Sequence, residues 1–202
     1  MTKTFAFAVA LLALPQVAQA QTFKSSAGDI KVETVAEGLV HPWALAFLPD
    51  GRMLVTERPG RMRIVTPDGK LSAPLGNVPK VFAVAQGGLL DVVLDRGFAD
   101  NKTIYFCFAE PSGGGGRTAL ARATPGEGKL DDVKVIYHQQ GPVSGGNHFG
   151  CRIAQSADNN LFLTQGEHFT DRDEAQKLTS DLGKIVRIAP DGSVPKDNPF
   201  AG

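Results

Sequence analysis

A strand–turn–strand unit recurs three times in this chain, and the recurrence leaves few folds open. The first copy spans residues 43–47, the turn Pro49-Asp50-Gly51 and residues 53–57. The second spans residues 89–94, the pair Asp100-Asn101 and residues 103–108. The third spans residues 151–154, the turn Asp158-Asn159-Asn160 and residues 161–164. A further apolar run follows each copy, at 62–65, 119–122 and 185–188. Asp-Gly and Asp-Asn between apolar runs are hairpin chemistry, because those residues tolerate φ > 0. The turn acids Asp50, Asp100 and Asp158 lie 50 and 58 residues apart. Several short strands repeating at about that period are the signature of propeller blades. The fold expected is all-β, a β-propeller with about three blades in this chain. A three-blade arc cannot close on itself and exposes unpaired strand edges. The expectation is therefore the N-terminal part of a longer propeller, with pairing of two copies or cover by another chain as the alternatives.

Residues 1–20 carry the pattern of a secretory signal. Lys3 supplies the positive start, residues 5–14 the apolar run and Ala18-Gln19-Ala20 the cleavage pattern. The apolar run is too short to span a bilayer. The mature chain is expected to begin at Gln21, to hold no membrane span and to form one propeller domain over 21–202, periplasmic or secreted. Export implies an oxidising compartment. Cys107 and Cys151 then either pair or stay as buried thiols in separate strands, and sequence leaves both open. The formal net charge is +0, so there is no basic footprint for nucleic acid. Gly113-Gly114-Gly115-Gly116 reads as a flexible loop; it lacks the Lys-Ser/Thr of a phosphate cradle.

The chemistry concentrates in Gly145-Gly146-Asn147-His148-Phe149-Gly150-Cys151-Arg152-Ile153. Glycines let backbone approach a ligand closely, and a histidine held among them can act as a base near neutral pH. Two other segments accompany it, Gln86-Gly87-Gly88-Leu89-Leu90-Asp91-Val92 and Leu182-Gly183-Lys184-Ile185-Val186-Arg187-Ile188. With His41-Pro42-Trp43 and Pro190-Asp191-Gly192 in the same order, the chain from about Val35 onward resembles the soluble aldose sugar dehydrogenases that use pyrroloquinoline quinone (PQQ), the glucose/sorbosone dehydrogenase-like family.

The resemblance implies a six-bladed propeller longer than this chain, of which the match covers the first half. It implies oxidation of the C1 hydroxyl of aldose sugars to lactones. His148 takes the hydroxyl proton while hydride goes to C5 of the quinone, and electrons leave to an acceptor outside the chain. His148 and Gln86 are expected at the cofactor, and Gln86 and Asn147 at the sugar. Asn147 stands where the family places an acid or amide that orients the imidazole. The cations that hold the quinone carboxylates and the carbonyls that ligate Ca²⁺ would lie beyond Gly202; no metal ligand is expected here. Cys151 departs from the family, which usually carries glycine there.

Other polar residues have plainer readings. Asp91 is expected to satisfy backbone groups within a blade, and Arg152 to lie in a second layer or an exposed ion pair. His41 is expected to be structural, with Trp43 packing between blades. His138 shows no partner signal. Glu167 and His168 follow a strand that in the family lies near the top face; a structural role is the favoured reading, with ligand contact as the alternative. Residues 170–181 read as a solvated loop or short helix without calcium-loop spacing. The rival functions are a Ca²⁺-dependent propeller lactonase or hydrolase, and a non-catalytic propeller that binds on its top face.

Overall fold

Ile104 to Ala109 is apolar without a break, which suits a strand only where both of its faces are covered. The computed structural model of the chain, which describes residues 21–140 and 145–200, provides that cover. A hairpin of β1 (Gln21–Ser25) and β2 (Gly28–Val32) belongs to a unit of its own that ends at Val35. The signal expected at residues 1–20 lies outside the described residues.

The second unit holds three antiparallel sheets. The first is β3 (Pro42–Phe47), β4 (Met53–Glu57) and β5 (Arg61–Val65). The second is β6 (Leu89–Leu94), β7 (Ile104–Ser112), β8 (Gly115–Pro125) and β9 (Leu130–His138). The third is β10 (Gly150–Gln155), β11 (Leu161–Gln165) and β12 (Ile185–Ile188). Strands β3, β6 and β10 open the three sheets and touch in series. These are the expected blades.

The period-2 alternation of β7 explains the stacking. Ile104, Phe106 and Phe108 pack with Leu54 and Met62 of the first sheet. Tyr105, Cys107 and Ala109 face the other way and pack with Ile153, Leu161 and Leu163 of the third. All six residues are buried, and a fully buried side chain of the Phe or Leu kind contributes roughly 1.5–3 kcal/mol relative to exposure. Trp43 packs against the second of these clusters, with the Arg152 guanidinium 4.9 Å over its ring. The outer sheets carry exposed apolar side chains, Leu45 and Phe47 on β3 and Ile185 on β12.

Cys107 and Cys151 are joined by a disulfide with a Cα–Cα separation of 6.6 Å, which ties β7 to β10. Asp91 also ties the second sheet to the third. Its Oδ2 accepts from the Ile153 N–H at 2.8 Å and its Oδ1 from Arg152 Nη1 at 2.9 Å. It does satisfy a backbone group, as expected, and that group lies in the neighbouring blade. Asp91→Ala leaves that buried N–H without a partner, and we expect a loss of about 1–3 kcal/mol in chemical denaturation. A change under 0.5 kcal/mol, the size of a neutral surface substitution, would contradict the assignment.

The structure corrects three local expectations. The glycine tract is no loose loop: Gly113 and Gly114, at φ 55° and 87°, form a two-residue turn, while Gly115 and Gly116 pair within β8. Asp100-Asn101 sits in a single helical turn, Phe98–Asn101, closed by Lys102 at φ 52°. The second blade has a fourth strand, β9, which pairs with β8 through two register shifts. The segment 170–181 includes a short 3₁₀ turn, Arg172–Gln176.

Candidate active site

Three connections converge at one end of the sheets: residues 82–88 before β6, 145–149 before β10 and 166–169 after β11. Phe82 N–H donates to the Ala109 carbonyl at 2.7 Å, and Gln86 N–H to the Gly146 carbonyl at 2.8 Å. The Arg58 guanidinium donates to the carbonyls of Ala85 and Gly87 at 2.8 and 3.0 Å. Gly88 is required where it stands, since at φ +147° a Cβ would lie 2.1 Å from the Arg58 carbonyl oxygen.

The loop that carries His148 is held from three sides. Its backbone N–H donates to Gln86 Oε1 at 2.9 Å. The Phe149 carbonyl accepts from the Thr118 hydroxyl at 2.7 Å. Nδ1 of His148 lies 2.6 Å from Glu167 Oε1. That hydrogen bond, first of all, holds the Glu167 carboxyl below its ordinary value of 4.5 against the opposing effect of burial. Gly166 makes the approach feasible: a Cβ there would lie 1.8 Å from the His148 carbonyl oxygen.

His148 at φ 47°, His168 at 57° and Phe169 at 68° all occupy the left-handed region. Such conformations in non-glycine residues are uncommon and gather where surrounding structure enforces them. The outcome here is that Phe169, 52% exposed, stands edge-on to His148 with centroids 5.4 Å apart. Arg172 lies 5.4 Å from the centre of its ring.

His168 points inward and is buried. Its Nε2 meets Gln139 Oε1 at 2.6 Å, and its ring stands edge-on to Phe149. Gln139 in turn donates to the Gly166 carbonyl, so His168 supports the loop from beneath. Its Nδ1 has no hydrogen-bond partner among the described residues, and burial pushes its pKa below 6.5. The unfolded chain therefore takes up this proton at a higher pH than the folded one, and stability falls as pH drops below about 6.5. We expect His168→Gln to flatten the fall in thermal midpoint between pH 7 and 5; an unchanged slope would contradict this reading.

Of the expected site residues, Gln86 and His148 meet directly, and Asn147 lies half-buried beside His148 in the chain. The imidazole's partner is Glu167, not Asn147, and sequence reasoning missed it. Arg152 is engaged with Asp91 and Trp43, away from the imidazole. His41 is exposed at the entry to β3. His138 does have partners, Glu110 Oε2 at 2.8 Å and Arg117 Nη2 at 3.1 Å. Among the described residues, no group of three or more His, Cys, Asp or Glu could hold a metal ion.

The chain matches the Glucose / Sorbosone dehydrogenase family over residues 39–202. It is 38% identical to the aldose sugar dehydrogenase YliI of Escherichia coli K12 across 93% of this chain and 51% of that protein. The soluble aldose sugar dehydrogenase of Escherichia coli in its apo form superposes with a TM-score of 0.79 at 41% identity, over 83% of this chain and 49% of that one. The PQQ-bound aldose sugar dehydrogenase of Streptomyces coelicolor superposes with a TM-score of 0.73 at 31% identity, over 92% and 53%. The chain spans about half the length of the curated relatives it matches.

Proposed function

Because the chain belongs to the glucose/sorbosone dehydrogenase family, we propose that the protein oxidises the C1 hydroxyl of an aldose to the lactone, with PQQ as cofactor and His148 as the base. The observation that carries this reading is the His148–Glu167 pair. An ionised carboxylate can only accept hydrogen bonds. Nδ1 therefore carries a ring proton and donates a hydrogen bond to Glu167, which in the neutral imidazole leaves the Nε2 lone pair free. A sugar hydroxyl that reaches Nε2 passes its proton there, and Glu167 stabilises the imidazolium that forms.

Gln86 uses its amide oxygen to hold the His148 backbone. Its amide nitrogen remains to donate to a quinone or sugar oxygen. Asn147, next to the base, is assigned to a second sugar hydroxyl. These residues fit the carbonyl end of the cofactor. When bound, PQQ supplies the two-electron acceptor for the hydride that leaves the sugar carbon. Its carboxylates call for cations, and Arg58 at this end of the sheets is already engaged with backbone carbonyls. Calcium finds no cluster of three or more His, Cys, Asp or Glu among the described residues, and no step here depends on it.

A buried disulfide suits an oxidising compartment. That supports a periplasmic or secreted protein with residues 1–20 as its signal. Among the described residues no helix is long and apolar enough to cross a membrane.

Dye reduction by the full-length protein, reconstituted with PQQ and offered a panel of aldoses, tests the reading. No PQQ-dependent reduction with any of them would end it. Glu167→Gln should lower kcat on the order of 10- to 100-fold, a part of what a positioned base contributes, and Glu167→Asp should restore some of it. Because the Glu167 pKa is depressed, the carboxylate stays charged above the ordinary value of 4.5 and is lost only as pH falls through its lower folded value. Its contribution should thus persist down to about pH 5. A Glu167→Gln enzyme with wild-type kcat would remove the carboxylate from the mechanism.

A further inference from the structure

The Cys107–Cys151 disulfide lies at the point where the third sheet changes register. From Ile153 to Gln155, β10 pairs with Leu163 to Leu161; one step further out, Gly150 pairs with Gln165. Three residues on β10 therefore answer two on β11, and the extra length falls at Cys151-Arg152. Its effect reaches His148. Continued without the shift, the pairing of 153 with 163 would set position 148 across from 168. With the shift, the pairing of 150 with 165 sets 148 across from 167. Carried two residues past the paired ends, the shifted count agrees with the observed His148–Glu167 contact.

Both bulged residues are anchored to the second sheet. Arg152 reaches Asp91, and Cys151, buried among apolar residues, is bonded to Cys107 in the middle of β7. Cys107 in turn sits in a strand covered on both faces. Only Phe149 and Gly150 separate Cys151 from His148. A bulged stretch has no full ladder to fix it, so an outside tether controls where it settles.

We propose that the Cys107–Cys151 disulfide is a positioning element of the site, one that pins the β10 bulge and so keeps His148 opposite Glu167. The catalytic consequence rests on the dehydrogenase reading; the geometric one does not.

The test uses Cys107→Ala/Cys151→Ala in the full-length protein, alone and combined with Glu167→Gln. In the PQQ-loaded enzyme, kcat should fall about tenfold, since small misplacements of a base are costly, while the aldose KM stays within about twofold. Added to Glu167→Gln, the same change should cost less than about twofold, because two residues acting through one contact are not additive. In the cofactor-free protein, imidazole ¹⁵N NMR should show the Nδ1–H form of His148 in the wild type and its loss in the double alanine variant. Equal tenfold losses in both backgrounds would reveal a merely structural bond and overturn the proposal. So would an unchanged kcat or an unchanged ¹⁵N signature. If the double variant does not fold, Cys107→Ala alone and the wild type under reductant are read the same way; failure of all three to fold would mean that the bond holds the sheets together rather than the site. An inactive wild type would sink the dehydrogenase reading and leave the NMR result to decide the positioning role.

Discussion

His148→Ala should lower kcat for aldose oxidation by about 10³- to 10⁴-fold, the upper range for loss of a positioned base. The reason is local. The imidazole is the group whose ring proton is fixed on Nδ1 by a carboxylate 2.6 Å away, and alanine offers no acceptor for the sugar hydroxyl proton. The fold should survive. The His148 side chain is 39% exposed, and the contact to Gln86 uses its backbone N–H, which alanine retains. Thermal midpoint should therefore move little while turnover collapses. Dye reduction and a melting curve on the same preparation check both halves. Turnover within tenfold of wild type would show that another group takes the proton.

Gly166→Ala should damage both stability and turnover. A Cβ at this position would stand 1.8 Å from the His148 carbonyl oxygen and 2.5 Å from its carbonyl carbon. Backbone, not a flexible side-chain end, must move to admit it. Whichever way the His148 peptide shifts, it strains the hydrogen bond to Gln86 or the one to Glu167. A displacement near 1 Å can cost on the order of 100-fold in rate, and the strained packing about 1–3 kcal/mol. The two variants separate two ideas: His148→Ala removes the base from a sound loop, while Gly166→Ala keeps the base in a displaced one. A Gly166→Ala protein with wild-type kcat and melting point would mean that the approach of the two loops is unimportant.

Much of this architecture could be read from residue order, for a physical reason. Alternation of apolar side chains marks strands wherever a face is buried, and Pro49-Asp50-Gly51 and Asp158-Asn159 mark the reversals between them. Strand β9 escaped because Asp131 and Asp132 interrupt its apolar run and its pairing with β8 slips twice. Gln86 and His148 carried a family signal. Glu167 carried a weaker one, its place after a strand near the top face, which did not reveal its contact with His148. Counting outward from a turn at Asp158 brings 148 near 167 and 168, and the bulged register agrees with the first. Bulges follow from packing on a neighbouring sheet, which a sequence does not display. The same limit applied to the cysteines. Their residue types allowed a bond, but the 6.6 Å between their Cα atoms is a product of sheets meeting.

The residues gathered around His148 come from connections at one end of the described sheets, and the turns at the opposite end lie away from them. There the reversals at Pro49–Arg52, Ala99–Asn101 and Asp158–Asn159 are exposed. Strands of five or six residues separate them from the base, roughly 17–20 Å at the rise of an extended chain. A linker, a dye or an electrode surface coupled at that end would meet none of the loops around His148. Attachment at those turns would, on the proposed function, leave the His148 end facing the solution.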